Sequence, residues 1–319
     1  GGADFDPTGC SDAEIMRFCQ SFMLELHRHI QPDIDVPAGD INVGAREIGY
    51  LFGAYKRITN EFEGVLTGKG LSFGGSEMRT EATGFGVIYF LHEILKQAGA
   101  SIEDQTVVIS GAGNVATFAA QKAVDLGARV VTLSDSNGFI HDKEGITSEK
   151  IQWVRAHKEK PGSSLVAYAD EFDAKWHEGK SPWQVECDVA LPCATQNELD
   201  EDAARTLAGN NCKFVAEGAN MPTTAGAKKV FKDAGVLRGP AKAANAGGVA
   251  VSGLEISQNR TGRSRSRAEI REDLCEIMKS IHEACLEHGE GEDGIDYARG
   301  ANIAAFKKVA DAMMAQGIG

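Results

Sequence analysis

Gly111, Gly113 and Ala116 are spaced G-x-G-x-x-A. That pattern lets a backbone come close to a pyrophosphate and rests its charge on the free N–H groups of a helix start. Asn114 and Val115 lie inside the turn, and Ser134, Asp135 and Ser136 follow about 20 residues on, where dinucleotide folds read the ribose 2′ position. A bound dinucleotide makes hydride transfer the first chemistry to consider, and a proton must then move at the substrate. Asp40, set between Pro37-Ala38-Gly39 and Ile41, is the best placed group for that proton. A free Asp titrates at about 3.9, so work near neutrality needs burial or charged neighbours. Taken alone, each feature has a plainer reading: a βαβ crossover with no ligand, and an Asp that only caps a turn.

The elements that must position these groups follow from periodicity. Thr106–Ile109 is a β-branched apolar run, as in a strand covered on both faces. A helix through Leu126 with Gly127 as its stop follows the glycine turn, and Val130–Asp135 forms the next buried strand. Further strands are predicted at Val189–Thr195, Lys213–Val215 and Val236–Leu237, so Asn220, Asn245 and Gly247-Gly248 all fall after strands. Strands alternating with helices imply an α/β fold with a doubly wound, Rossmann-like parallel sheet, whose strand ends bind ligands. Upstream, Ser11 with Glu14 is a capping box for a helix to about Ile30, and a helix spans about Ala45–Thr59. Leu66–Ser76 is rich in glycine and reads as a linker or hinge, and Lys158–Lys180 is polar and poorly periodic. Further helices fit Glu81–Ala98, Glu198–Leu207, Ala268–His288 and Gly300–Met314. The expected division is a dinucleotide domain at 73–294 and a substrate and oligomerisation domain at 1–72 and 295–319.

Composition narrows the class. A chain of 319 residues with 42% hydrophobic and 25% charged residues is an ordinary globular composition. Its net charge of −13, with scattered Lys and Arg, excludes a nucleic-acid footprint. Seven widely spaced cysteines without a C-x-x-C pair favour neither a disulfide framework nor a metal site, and point to a reducing compartment such as the cytoplasm. No apolar run approaches a membrane span.

Several motifs in order carry a resemblance: GGADFDP (Gly1–Pro7), DVPAGDINVGAREIGY (Asp35–Tyr50), LTGKGLSFGGSEMRTEATGFG (Leu66–Gly86), ALPCATQNELD (Ala190–Asp200), EGANMPTT (Glu217–Thr224), ANAGGVAVSGLE (Ala244–Glu255) and the C-terminal GANIAAFKKVADAMMAQGI (Gly300–Ile318). Together they resemble the hexameric glutamate dehydrogenases, in particular the bacterial-type, NADP-linked branch. The resemblance implies interconversion of L-glutamate with 2-oxoglutarate and ammonium by a homohexamer. It implies that Asp40 shuttles a proton at the amine or imine nitrogen, with Ala38 and Gly39 as backbone contacts to the substrate. Ser252 would bond the side-chain carboxylate, with Val249 nearby; Thr83 and Asn114 would hold the cofactor, and Asn220 and Asn245 would lie near the nicotinamide and its ribose.

In that family a catalytic lysine directly precedes the G-G that opens this chain, and two substrate-binding lysines lie further upstream. The resemblance therefore implies a partial sequence that is inactive by itself. An acidic residue at Asp135 ordinarily favours an unphosphorylated ribose, whereas Ser134-Asp135-Ser136 resembles the NADP-linked enzymes, with Lys150, Arg155 or Lys158 as candidate cations for the phosphate. NADP is expected ahead of NAD. Alternatives are a dehydrogenase of another amino acid and a non-catalytic nucleotide-binding subunit.

Overall fold

The structure, a computed structural model, describes residues 2–40, 43–158, 160, 162–291 and 294–317. Gly1, Ile41, Asn42, Ile318 and Gly319, named in the motifs and domain bounds above, lie outside the described residues, as do Glu159, Pro161, Glu292 and Asp293. Two compact units divide the chain, Gly1–Thr80 with Val249–Glu272, and Glu81–Gly248 with Asp273–Gly319. These bounds differ from the expected ones: Val249–Glu272 groups with the N-terminal residues, and the C-terminal helix groups with the dinucleotide-type sheet.

In the first unit, α1 (Asp12–Leu26) opens on the predicted capping box, Glu14 N–H reaching Ser11 Oγ and Ser11 N–H reaching Glu14 Oε2. It stops at Leu26, short of the expected Ile30, because residues 27–29 form a turn; Ile30 is buried all the same. Helix α2 (Ala45–Thr59) has the predicted bounds, its Glu47 carboxylate accepting the Gly44 N–H at 2.9 Å. Ile15, Cys19 and Met23 of α1 pack with Ile48, Leu51, Phe52 and Tyr55 of α2 and with Val65 and Leu66 in one apolar core.

The second unit begins with α3 (Ala82–Gln97), β1 (Thr106–Ile109), α4 (Asn114–Asp125), β2 (Arg129–Val130), β3 (Thr132–Asp135) and β4 (Gly138–His141). There follow α5 (Ser148–Lys158), α6 (Val166–Phe172), β5 (Lys175–Glu178), β6 (Val189–Leu191), α7 (Glu201–Gly209), β7 (Phe214–Ala216), α8 (Ala225–Asp233), β8 (Leu237–Gly239) and α9 (Ala241–Ala244). Helices α10 (Gly247–Thr261) and α11 (Arg267–Gly289) carry the chain out of this unit and back. The hairpin β9 (Glu290–Gly291) and β10 (Gly294–Ile295) then leads to α12 (Tyr297–Gln316).

Five strands form a parallel sheet of Rossmann type, in the order β2-β1-β6-β7-β8. Val108, Ala190 and Val215 share one apolar cluster with Leu207 of α7 and with Ala227 and Phe231 of α8. Helix α3 packs on β7 and β8, and α4 on β2. The chain leaves β1 for β2 on one side and later returns through β6 on the other, so the reversal point of the strand order lies between β1 and β6. In open α/β sheets that is where the crevice for a ligand forms.

The predicted strand Val130–Asp135 is divided. Val131 N–H still donates to Val107 O at 3.0 Å, but from Thr132 the chain leaves β1 and pairs antiparallel with β4. With β5 this makes a second, three-stranded sheet. Both β5 and α6 fall in the stretch that shows no periodicity in sequence; β5 is short and half-exposed, so its side chains alternate only weakly. The expected linker Leu66–Ser76 is likewise structured. It contains a 3-10 turn at Leu71–Phe73, and Thr67, Lys69, Gly75 and Ser76 are buried.

Candidate functional site

In the second unit the G-x-G-x-x-A turn sits at the end of β1. Gly111 has φ +86°, a conformation that disfavours a side chain, and an added Cβ would come within 2.9 Å of Cys193 O at the end of β6. Its N–H donates to Ser134 Oγ at 2.7 Å, and Ser134 N–H returns a bond to Gly111 O at 3.1 Å. Ser110 Oγ accepts the Cys193 N–H at 2.9 Å, so the turn is tied to β3 and to β6 together. Gly113 caps α4 with φ −82°, is exposed, and has no atom within 4 Å of the place a Cβ would occupy. Beyond it the first-turn N–H groups of Asn114, Val115 and Ala116 have no partner within the helix, since the first intrahelical bond runs from Thr117 N–H to Gly113 O at 3.0 Å. No acidic residue occupies that first turn. Open space, free donors and the positive end of a helix dipole suit a phosphate group.

Helix α3 backs this turn closely. A Cβ on Gly84 would meet Ala119 N at 2.6 Å and Val115 O at 2.7 Å, and Thr83, beside it in the first turn of α3, is half-buried. Asn220 and Asn245, both expected near the nicotinamide and its ribose, are hydrogen-bonded to each other: Asn245 Nδ2 donates to Asn220 Oδ1 at 2.8 Å and to Gly218 O at 3.2 Å. Below them the buried Glu217 takes Arg238 Nη1 and the Ala241 N–H, both at 2.7 Å, which fixes the ends of β7 and β8. Glu198 accepts the N–H groups of Ala194 and Thr195 at 2.9 and 3.2 Å; burial holds its carboxyl above the usual carboxylate range. Neither glutamate stood out in sequence, because their partners are backbone groups and a distant arginine.

At the ribose-reading position the three residues differ. Ser134 is buried and its hydroxyl is engaged by the glycine turn, whereas Ser136 is exposed. Both carboxylate oxygens of Asp135 accept protein donors: Oδ1 the Asn137 N–H at 2.9 Å, Oδ2 the Leu165 N–H at 2.8 Å and Ser164 Oγ at 3.3 Å. Of the candidate cations, Lys150 pairs with Asp142 at 2.6 Å. The Arg155 guanidinium lies 3.9 Å from the Phe118 ring centre, donates to Thr117 O, and is held by burial below its ordinary value. Lys158 Nζ reaches Ser163 O at 3.4 Å.

The first unit carries the other group of expected site residues. Ala38, Gly39 and Asp40 lie on a short loop closed by Asp40–Val43 backbone bonds of 3.2 and 3.0 Å, with Asp40 exposed. Gly39 is required there, since a Cβ would lie 2.6 Å from Val43 O. Thr67 N–H donates to Pro37 O at 3.0 Å and holds the loop against the Leu66–Gly75 segment. Ser252, 6% exposed, has its Oγ 2.9 Å from Thr67 Oγ1 and accepts Arg79 Nε at 2.8 Å. Val249, one helical turn earlier on α10, is 71% exposed. Nothing local in the sequence marks Arg79 or Thr67, since the partner that gives them meaning, Ser252, lies more than 170 residues away. Burial holds the Arg79 guanidinium below its ordinary value, opposed by the charge of Glu255. A half-buried guanidinium beside a serine hydroxyl is a carboxylate-binding arrangement.

Among the described residues no group of three His, Cys, Asp or Glu side chains is placed to hold a metal ion, and no helix is long and apolar enough to cross a membrane.

Comparison with known proteins matches residues 74–317 to the family model described as Glutamate/Leucine/Phenylalanine/Valine dehydrogenase, and residues 1–57 to the model described as Glu/Leu/Phe/Val dehydrogenase, dimerisation domain. The chain is 54% identical over 318 residues to the NADP-specific glutamate dehydrogenase of Salmonella typhimurium, covering 100% of this chain and 71% of that protein. It is also 54% identical over 320 residues to the NAD-specific glutamate dehydrogenase of Bacteroides fragilis, covering 100% and 72%. The crystal structure of Plasmodium falciparum glutamate dehydrogenase superposes with a TM-score of 0.96 at 49% identity, covering 99% of this chain and 68% of that one. Matches of this extent, over both units, mean that the chain belongs to the Glu/Leu/Phe/Val dehydrogenase family.

Proposed function

We propose that the protein is a glutamate dehydrogenase that oxidises L-glutamate to 2-oxoglutarate and ammonium with NADP, and runs the reverse reaction. Relatives at 54% identity with that name support it. The observation that carries the choice of glutamate within the family is the Arg79–Ser252–Thr67 cluster: a leucine, phenylalanine or valine side chain offers nothing to a half-buried guanidinium, and a side-chain carboxylate does.

The dinucleotide, when bound, takes the hydride from the substrate α-carbon. In this reading the N–H groups of Asn114, Val115 and Ala116 hold its pyrophosphate over Gly113, with Gly111 shaping the turn and Thr83, Asn220 and Asn245 placed toward the nicotinamide half. Asp40 takes a proton from the substrate amine and returns one in the amination direction. Its loop is braced by Gly39 and Thr67, and because the side chain is exposed, the burial or charge that proton transfer near neutrality requires must come with the bound substrate and coenzyme. Ala38 and Gly39 supply backbone contacts, Ser252 and Arg79 bind the side-chain carboxylate, and Val249 lines the site.

NADP is preferred because Asp135 already accepts from Asn137, Leu165 and Ser164, which ties its carboxylate to the protein and leaves it fewer acceptor sites for a ribose 2′-hydroxyl than the NAD reading favours. Ser136 and the Lys158 ammonium are the polar groups proposed for the phosphate. Whole-chain identity does not separate the coenzymes, since NADP- and NAD-specific relatives are equally similar. A cytoplasmic homohexamer completes the proposal; the match of residues 1–57 to a dimerisation domain supports its self-association.

The test is amino-acid-dependent formation of reduced nicotinamide by the full-length protein, with L-glutamate, L-leucine, L-phenylalanine and L-valine compared under one condition. Glutamate alone gives sustained turnover in this account. A preference for any of the other three, or no turnover with any, overturns it.

A further inference from the structure

We propose that Lys69 is a positioning residue whose task is to hold the Glu255 carboxylate away from Arg79, so that the arginine's charge stays available to the substrate. The inference rests on the assignment of Arg79 and Ser252 to the substrate carboxylate.

Two segments of the first unit, Leu66–Gly75 and α10, are joined by a ladder of polar rungs. Thr67 meets Ser252; one helical turn on, Lys69 meets Glu255; a further turn on, Gln258 Nε2 donates to Gly75 O at 3.0 Å and Asn259 Nδ2 to Gly74 O at 2.6 Å. The middle rung is ionic and fully buried, Lys69 Nζ to Glu255 Oε1 at 2.7 Å with side-chain exposures of 1% and 0%. Glu255 also accepts the N–H groups of Gly68 at 3.0 Å and Lys69 at 3.4 Å, and Lys69 Nζ donates to Leu66 O. The segment is folded tightly about this lysine: a Cβ on Gly75 would lie 1.9 Å from Lys69 O.

Such a pair is a poor device for stability. Desolvating two charges costs about what their attraction returns, and well-packed apolar residues in their place are often neutral or better. Its value here is electrostatic. Arg79 feels Glu255 as its principal attractive charge. Arg79 bonds Ser252, one helical turn from Glu255 on α10, so with Lys69 gone the Glu255 carboxylate would turn to Arg79, and that pairing would compete with the substrate. Lys69 occupies the carboxylate instead, leaving the three groups with one net positive charge, to be balanced by the substrate's side-chain carboxylate.

The experiment uses the full-length enzyme and a double-mutant cycle of Lys69→Met, Glu255→Gln and the pair together, reading kcat and KM for glutamate alongside thermal unfolding. Lys69→Met raises KM about tenfold or more with kcat changed by less than about threefold, and adding Glu255→Gln returns KM toward the parent value. A purely structural pair gives a different pattern, with parallel losses of unfolding temperature and no recovery of KM. An unchanged KM in Lys69→Met, or a rise that the second substitution fails to reverse, overturns the proposal. If Lys69→Met does not fold, Glu255→Gln decides alone: its KM is no higher than the parent's in this account, and a rise of about tenfold contradicts it. A parent enzyme without glutamate turnover would instead refute the functional assignment, so the two failures are distinct.

Discussion

Two glycines in one turn are predicted to fail in opposite ways when each is replaced by alanine. At Gly111, φ is +86°, where an L-residue costs about 1–2 kcal/mol. The new Cβ also presses to 2.9 Å on the carbonyl oxygen of Cys193, a backbone atom that cannot turn aside, which adds about 1–3 kcal/mol. Gly111→Ala should therefore lose about 2–5 kcal/mol of stability. At Gly113, φ is −82° and nothing lies within 4 Å, so neither cost arises. Alanine is a poorer helix cap than glycine by some tenths of a kcal/mol, but it restricts the unfolded chain by about 0.4–1 kcal/mol, so the net change stays within about 0.5 kcal/mol. What Gly113→Ala removes is the open space over the free N–H groups of α4. Loss of about tenfold or more in NADP affinity, about 1.4 kcal/mol, is the expected result. Thermal unfolding and a coenzyme titration on both variants make the assay. If Gly113→Ala binds NADP like the parent, or unfolds as early as Gly111→Ala, the assignment of that space to a phosphate is wrong.

Three further outcomes follow. Saturation with NADPH and with NADH at equal concentration should favour the phosphorylated coenzyme, and Lys158→Gln should narrow that preference; a strong NADH preference removes the argument from Asp135. Burial holds the His282 imidazole, 3% exposed and bonded to Tyr297, below its ordinary value. The folded state then binds fewer protons than the unfolded one below about pH 6.5, so stability is present above that pH and is lost as pH falls toward the folded value. His282→Gln should flatten part of the fall in unfolding temperature from neutrality to about pH 5, and an unaltered slope contradicts this. Ser252→Ala leaves Arg79 without its partner and should raise KM for glutamate about tenfold with NADP binding unchanged, as initial rates and a titration will show.

Much of the second unit is legible in the sequence because its signals are local. The β-branched run before Gly111, the glycine turn itself and the stop at Gly127 are each set by steric rules acting over a few residues, and the structure places β1, α4 and the turn there. Contacts across long sequence separations are what the sequence hides. Asp135 looks like a free ribose ligand, but the backbone of Leu165, 30 residues on, donates to its Oδ2 and ties it to the protein. The strand after α4 changes partner at Thr132, where β4 pairs along its edge and β5 in turn pairs with β4, and β5 carries no alternation to announce this sheet. Leu66–Ser76 looks like a linker for a similar reason. Its buried charge, Lys69, is compensated by a residue 186 positions away. Asp40 stands out from its Pro-Ala-Gly setting, Ser252 is reached through family resemblance, and Arg79 emerges only from the structure.

The central claim is that Asp40 moves the nitrogen's proton while the coenzyme is held independently at the start of α4. Asp40→Asn keeps the side chain's size and removes its base. Measured in the full-length protein, turnover with glutamate should fall by about 10²- to 10⁴-fold while the dissociation constant for NADP stays at the parent value. Turnover near the parent level in a folded, NADP-binding Asp40→Asn variant would contradict the account.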